Sequence, residues 1–127
     1  MDVWQFMDYI SPQGRNVIAD WHAGLLRQEQ SDFLAVIRIL AKMQHWRGRA
    51  FKPLKGPYQG MGEIRYTSER KEHRVIGFVW PSAQQFTMLI GCFHKQRVYH
   101  PTNAFNTALQ RRKFLEQGKG SIRERKI

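Results

Sequence analysis

The sequence predicts an α+β domain with the element order β-α-α-β-β-β-α, its antiparallel sheet packed against helices. Three observations point there. Two apolar stripes at helical spacing follow one another between residues 17 and 41. Three strand-like segments follow between residues 63 and 93, separated by polar turns. Beyond Pro101 a third helical stripe appears.

Taken in order, "VWQFMDYI" (3–10) is rich in β-branched and aromatic residues and reads as a short strand. Ser11-Pro12 reads as a helix start, with proline at the first helical position, where the missing N–H costs nothing. Val17, Ile18, Trp21 and Leu25 form the stripe of that helix. Ser31-Asp32 starts a second helix, whose stripe is Phe33, Val36, Ile37, Leu40 and Ala41. Pro53, Gly56, Pro57, Gly60 and Gly62 mark a loop. "EIRYT" (63–67) alternates, with Ile64 and Tyr66 on one face and Glu63, Arg65 and Thr67 on the other. "RVIGFVW" (74–80) and "FTMLIGCF" (86–93) are apolar on both faces and read as central strands. Thr102 caps a last helix carrying Phe105, Ala108, Leu109 and Leu115, closed by Gly118. The boundaries expected are one domain over residues 1–117 and a basic, disordered tail over 118–127, "GKGSIRERKI".

A length of 127 residues suits one domain with a real core, which 42% hydrophobic residues supply. No run of about 18 apolar residues is present, so no membrane partner is expected. The N-terminus lacks the basic-then-apolar order of a signal peptide, and a lone cysteine forms no internal disulfide. A cytoplasmic location is the expectation. Lys and Arg number 21 against 10 Asp and Glu, a formal charge of +11. Such an excess concentrates polyanions around the protein and makes nucleic acid the leading partner class. The alternatives are charge serving solubility, or an acidic protein partner.

Four stretches carry a family resemblance: "PLKGPYQGMGEIR" (53–65), "EHRVIGF" (72–78), "IGCFHK" (90–95) and the helix from Pro101 to Leu115. In this order they resemble the RelE/HigB toxin superfamily of type II toxin–antitoxin modules, in its phage-derived HigB-like branch. The resemblance implies a small RelE-like domain that cuts messenger RNA on the ribosome as a metal-free endoribonuclease and so inhibits translation. It also implies a cognate antitoxin, of the helix-turn-helix type, as partner beside ribosome and mRNA. A ParE-like branch of the same fold inhibits DNA gyrase without catalysis. That non-catalytic reading, or a phage protein binding a host factor, is the alternative.

Metal-free RNA cleavage uses the RNA's own 2′-OH as nucleophile. It needs a base for that proton, an acid for the leaving 5′-oxygen and cations for the phosphate. Arginine's planar fork suits the phosphate, and histidine suits proton transfer near neutrality. By the resemblance, Arg74 matches the arginine set against the scissile phosphate, while the residue reading alone leaves it a solvated strand end. Arg65 matches an arginine that is as often structural, paired with an acid. Glu63 stands near where some cutters carry a catalytic lysine. His94 stands where the pattern has lysine, as acid, base or partial positive charge. Lys95 and Arg97 complete the catalytic candidates as phosphate contacts. If the strand continued, alternation would set Lys95, Arg97 and Tyr99 on one face and His94, Gln96, Val98 and His100 on the other. Tyr99 either stacks on a base or seals the core beside the last helix. His100 precedes Pro101 and is held extended. Lys52, Lys55, Arg65, Tyr99, His100, Arg111 and Arg112 are the RNA-binding candidates, Arg111 and Arg112 on the polar side of the last helix. No second Cys/His pair follows Cys92 and His94 at zinc spacing, and neither a metal nor another cofactor is expected.

Overall fold

The computed structural model describes residues 2–127. The strands are β1 (Gln5–Ile10), β2 (Phe51–Pro53), β3 (Met61–Ser68), β4 (Lys71–Trp80), β5 (Gln85–Lys95), β6 (Val98–His100) and β7 (Ser121–Glu124). The helices are α1 (Val17–Ala23), α2 (Arg27–Lys42) and α3 (Ala104–Glu116). Six strands run side by side as β2-β3-β4-β5-β1-β7, and β6 pairs with the far end of β5. The α+β class is as expected. The sheet is antiparallel except where β1 lies parallel to β5, from Gln5 opposite Gln85 to Asp8 opposite Met88. The expected order lacked β2, β6 and β7. Each is three or four residues long and too short to show a period of two.

All three helix starts fall later or earlier than the capping residues suggested. Ser11-Pro12 forms a turn instead: Gly14 N–H donates to the Ser11 carbonyl, and Arg15 N–H to Ser11 Oγ. Asn16 is the true cap of α1, its Oδ1 accepting from Ala19 N–H. α2 begins at Arg27, where Glu29 Oε1 accepts from Leu26 N–H at 2.8 Å. α3 starts after Asn103 rather than Thr102. It ends as expected at Gly118, which turns left-handed at φ 73°. Lys119 N–H reaches the Phe114 carbonyl and Gly118 N–H the Leu115 carbonyl, which satisfies the last turn.

The helices divide the two faces of the sheet. α1 and α2 bury Ile18, Phe33, Ile37, Leu40 and Ala41 against Phe6, Ile64, Val75, Phe86 and Met88. Trp21 of α1 lies so close on Gly91 that a Cβ there would fall inside its ring. α3 buries Ala104 and Ala108 against Met61, Ile76, Phe78, Leu89 and Ile90 on the other face. The register shifts between Ile76 and Gly77, where Leu89 of β5 is the extra residue of a bulge.

The segment 118–127 is not a disordered tail. β7 pairs antiparallel with β1, from Met7 opposite Glu124 to Ile10 opposite Ser121. Arg125 then folds back on the buried Asp8, its Nε and Nη2 each 2.9 Å from a carboxylate oxygen. Composition alone hides this: β7 is exposed, so its polar residues cost nothing, while its backbone bonds and one buried ion pair fix it. Among the described residues no helix is long and apolar enough to cross a membrane.

Candidate active site

Sheet register gathers the site. Arg65 lies opposite Arg74, Thr67 opposite Glu72, Glu72 opposite His94, and His94 opposite Tyr99. Cross-strand partners share a face. Glu63, Arg65, Glu72, Arg74, His94 and Tyr99 therefore come together from β3, β4, β5 and β6 on the α3 side of the sheet. α3 seals the apolar half of that face, and the polar half lies past its first turn.

Glu63 is the anchor. It is 1% exposed, and a buried carboxylate persists only with partners. Arg65 supplies two, its Nε at 2.8 Å and Nη2 at 2.6 Å from Oε1. Tyr99 donates its hydroxyl to Oε2 at 2.6 Å. Burial first, and then the Glu63 carboxylate, push the Tyr99 hydroxyl well above the usual tyrosine range, so it remains a donor. The Tyr99 ring packs 4.6 Å from Phe105 of α3. Tyr99 thus seals the core, the second of its two expected roles. Arg65 is paired with an acid and keeps part of its guanidinium open to solvent.

Arg74 lies between this anchor and His94. Its Nη1 donates to the His73 carbonyl at 2.9 Å, and its Nε is 3.8 Å from Glu63 Oε1. Arg74 is buried, 7% exposed, and so is not a solvated strand end; its Nη2 lies 3.5 Å from His94 Nδ1 and 3.8 Å from Glu72 Oε1. His94 Nδ1 is 3.5 Å from Glu72 Oε2, and its ring is partly exposed against Tyr99. A groove of about 640 Å³ leads from Arg74 and Glu72 past Arg65 to Arg49 along the open edge of β3. Two guanidinium groups, an imidazole and an exposed carboxylate can hold a phosphate and move a proton at its side. Cys92 offers no nucleophile there. Its thiol faces the Arg74 carbonyl, and burial, then Glu63, push it up to about 12 against the opposing Arg74 charge. Among the described residues no three His, Cys, Asp or Glu side chains gather to hold a metal ion.

The remaining candidates separate from this cluster. The strand does not continue past Lys95: Gln96 and Arg97 both turn left-handed, at φ 51° and 66°, and the chain reverses into β6. Alternation across that stretch is therefore corrected. His94 and Tyr99 share the α3 face, while Lys95 and His100 lie on the α2 face with Phe93. Arg97 sits at the tip of the turn. Lys52 lies opposite Glu63, one strand out, and Lys55 is exposed in the loop before a short turn of 3₁₀ helix at Gly56–Tyr58. Arg111 and Arg112 are tied into the fold. Arg111 donates to the Leu89 carbonyl at 2.7 Å, and Arg112 to the Gln59 carbonyl at 3.0 Å, with its guanidinium over Phe78.

Glu63 and Glu72 were not among the sequence candidates. Glu63 was legible, since it stands two residues from Arg65 on one strand face. Glu72 was not, because only the hairpin register brings it to His94. A family model described as "Phage derived protein Gp49-like (DUF891)" matches residues 20–113 of the chain. No curated protein and no solved structure matches it.

Proposed function

We propose that this chain, which belongs to the phage-derived Gp49-like family of RelE/HigB-like toxins, is the toxin of a type II toxin–antitoxin module and cuts messenger RNA on the ribosome. The observation that carries the reading is the Arg74 guanidinium, which lines the groove 3.5 Å from His94 Nδ1, with Arg65 beside it on the same face. Arg74 and Arg65 would hold the two non-bridging oxygens of a phosphate presented along the groove. The adjacent 2′-OH attacks phosphorus, the P–O5′ bond breaks, and a 2′,3′-cyclic phosphate and a 5′-OH result. His94 would take the proton of the 2′-OH, with Glu72 orienting its ring, and water would supply the proton to the leaving 5′-oxygen. The buried Glu63 does not react; it fixes Arg65 and, through Tyr99, the β6 strand. The antitoxin, ribosome and mRNA as partners, and a cytoplasmic setting, belong to the same proposal.

The test is controlled expression of the chain with mapping of 5′ ends on cellular mRNA. Ribosome-phased cuts are expected with the wild type, about 100-fold fewer or less with Arg74→Ala, since a preorganised charge on the phosphate is typically worth that much. His94→Ala should lose cutting and His94→Lys retain part of it if the role is mainly charge. Growth arrest with intact mRNA and blocked DNA supercoiling would overturn the proposal in favour of a gyrase inhibitor.

A further inference from the structure

A second cavity, of about 530 Å³, opens on the opposite face of the same two hairpins. Arg70, Lys71, Phe93, Lys95 and His100 line it, joined by Glu72 and His94 from the α3 face. Phe93 fixes which face this is. Its ring lies 5.1 Å from His73, and His73 Nε2 is 2.9 Å from Glu29 of α2. Three cations and an aromatic ring in one cavity match single-stranded nucleic acid, whose phosphates need the charge and whose bases stack on the ring. Lys71 already lies 5.1 Å over Phe93, so cation and ring are presented together.

Two features tie this cavity to the cluster around Arg74. Glu72 lines both it and the Arg65–Arg74 groove. Both flanking turns also hold consecutive non-glycine residues left-handed, Glu69-Arg70 at φ 53° and 63° and Gln96-Arg97 at φ 51° and 66°. Turns of this kind favour Asn-Gly, and each such residue costs about 1–2 kcal/mol. The fold nonetheless places arginine at the second position of each turn, and Arg70 of the first turn lines the cavity.

We propose that this cavity is a nucleotide-binding subsite for single-stranded RNA: Arg70 and Lys95 hold a phosphate, Phe93 stacks the base, and the strand passes over the hairpin ends to bring a neighbouring phosphate to Arg74. The inference builds on the RNA-cutting reading and adds a second point of grip on the reverse face. Its test is binding of a short, fluorescein-labelled, fully 2′-O-methylated single-stranded RNA, which cannot be cut, by anisotropy across a salt series. Arg70→Ala/Lys95→Ala should weaken binding about tenfold and lower the log–log salt slope by about 0.7, the value for one neutralised phosphate on a single strand. Phe93→Leu should weaken binding about fivefold with the slope unchanged, the signature of lost stacking. Arg123→Ala/Lys126→Ala removes the same charge at the exposed β7 edge and should change the affinity less than twofold. Equal weakening by the two double variants reduces the effect to diffuse charge and overturns the subsite. Absence of wild-type binding overturns it too, while leaving the cellular cleavage test to stand alone. Conversely, binding through Arg70, Lys95 and Phe93 without any mRNA cuts in cells would keep the subsite and remove the ribonuclease.

Discussion

At the scale of the residue, the site depends on one buried carboxylate more than on any cation. Glu63 meets Arg65 and Tyr99 inside the sheet and ties both side chains in place. Tyr99→Phe removes a hydrogen bond to a charged acceptor without opening a cavity. A loss of about 1.5–3 kcal/mol in urea unfolding is expected. A change under about 0.5 kcal/mol, the range of ordinary surface substitutions, would mean that water replaces the hydroxyl and that Tyr99 does not anchor β6. The stretch Cys92–Pro101 shows how much the residue types revealed. They marked a gathering of basic and polar groups, and the structure sets His94 beside Arg74. They did not reveal which of them share a face. That depended on Gln96 and Arg97 adopting a left-handed turn, which neither residue favours, so no local signal announced the reversal.

At the scale of the element, the long strands and α2 were legible because each carries several residues of one period. Phe33, Ile37, Leu40 and Ala41 are all buried, as their spacing predicts. The short elements were not, because their order comes from contacts distant in sequence. β7 is the sharpest case. Its four residues are all exposed, and what holds it is its ladder to β1 and the Arg125–Asp8 pair, 117 residues apart. Arg125→Ala leaves a buried Asp8 with only the Asn16 amide as partner. A cost of about 3–5 kcal/mol is expected, against about 0.5 kcal/mol or less for the exposed Arg123→Ala two residues away. Hydrogen exchange should show the Met7–Ile10 amides losing protection in the first variant alone. Similar small losses in both would mean that β7 adds little to the fold.

At the scale of the whole molecule, the acidic residues are few and unevenly used. Asp8, Glu29 and Glu63 are buried and paired with Arg125, Lys71 and Arg65, so much of the positive excess is left at the surface for a polyanion. The buried histidine against Glu29 introduces a pH dependence of the fold itself. This residue, His73, is fully buried, stacked on Tyr66 with ring centroids 4.5 Å apart, and Lys71 lies on the same carboxylate. Burial holds His73 below the usual histidine range, outweighing the opposing pull of Glu29. His22 is lowered likewise, by burial first, with Arg125 adding to the effect and Asp8 opposing it. Both rings are therefore neutral in the folded protein at a pH where the unfolded chain, with histidines near 6.5, has begun to bind protons. The unfolded state gains the extra protons, so stability rises with pH across this window. It should be fully present above about pH 7, fall as the pH drops through about 6.5, and level off below the depressed folded-state values. His73→Gln keeps a polar side chain against Glu29 but cannot titrate. Urea midpoints measured at steps between about pH 7.5 and 5 should therefore fall less steeply in this variant, the remaining slope belonging to His22. An unchanged slope would place the titration elsewhere. A wild-type midpoint that rises on acidification would mean that the charged His73–Glu29 pair, rather than burial, governs this face of the sheet.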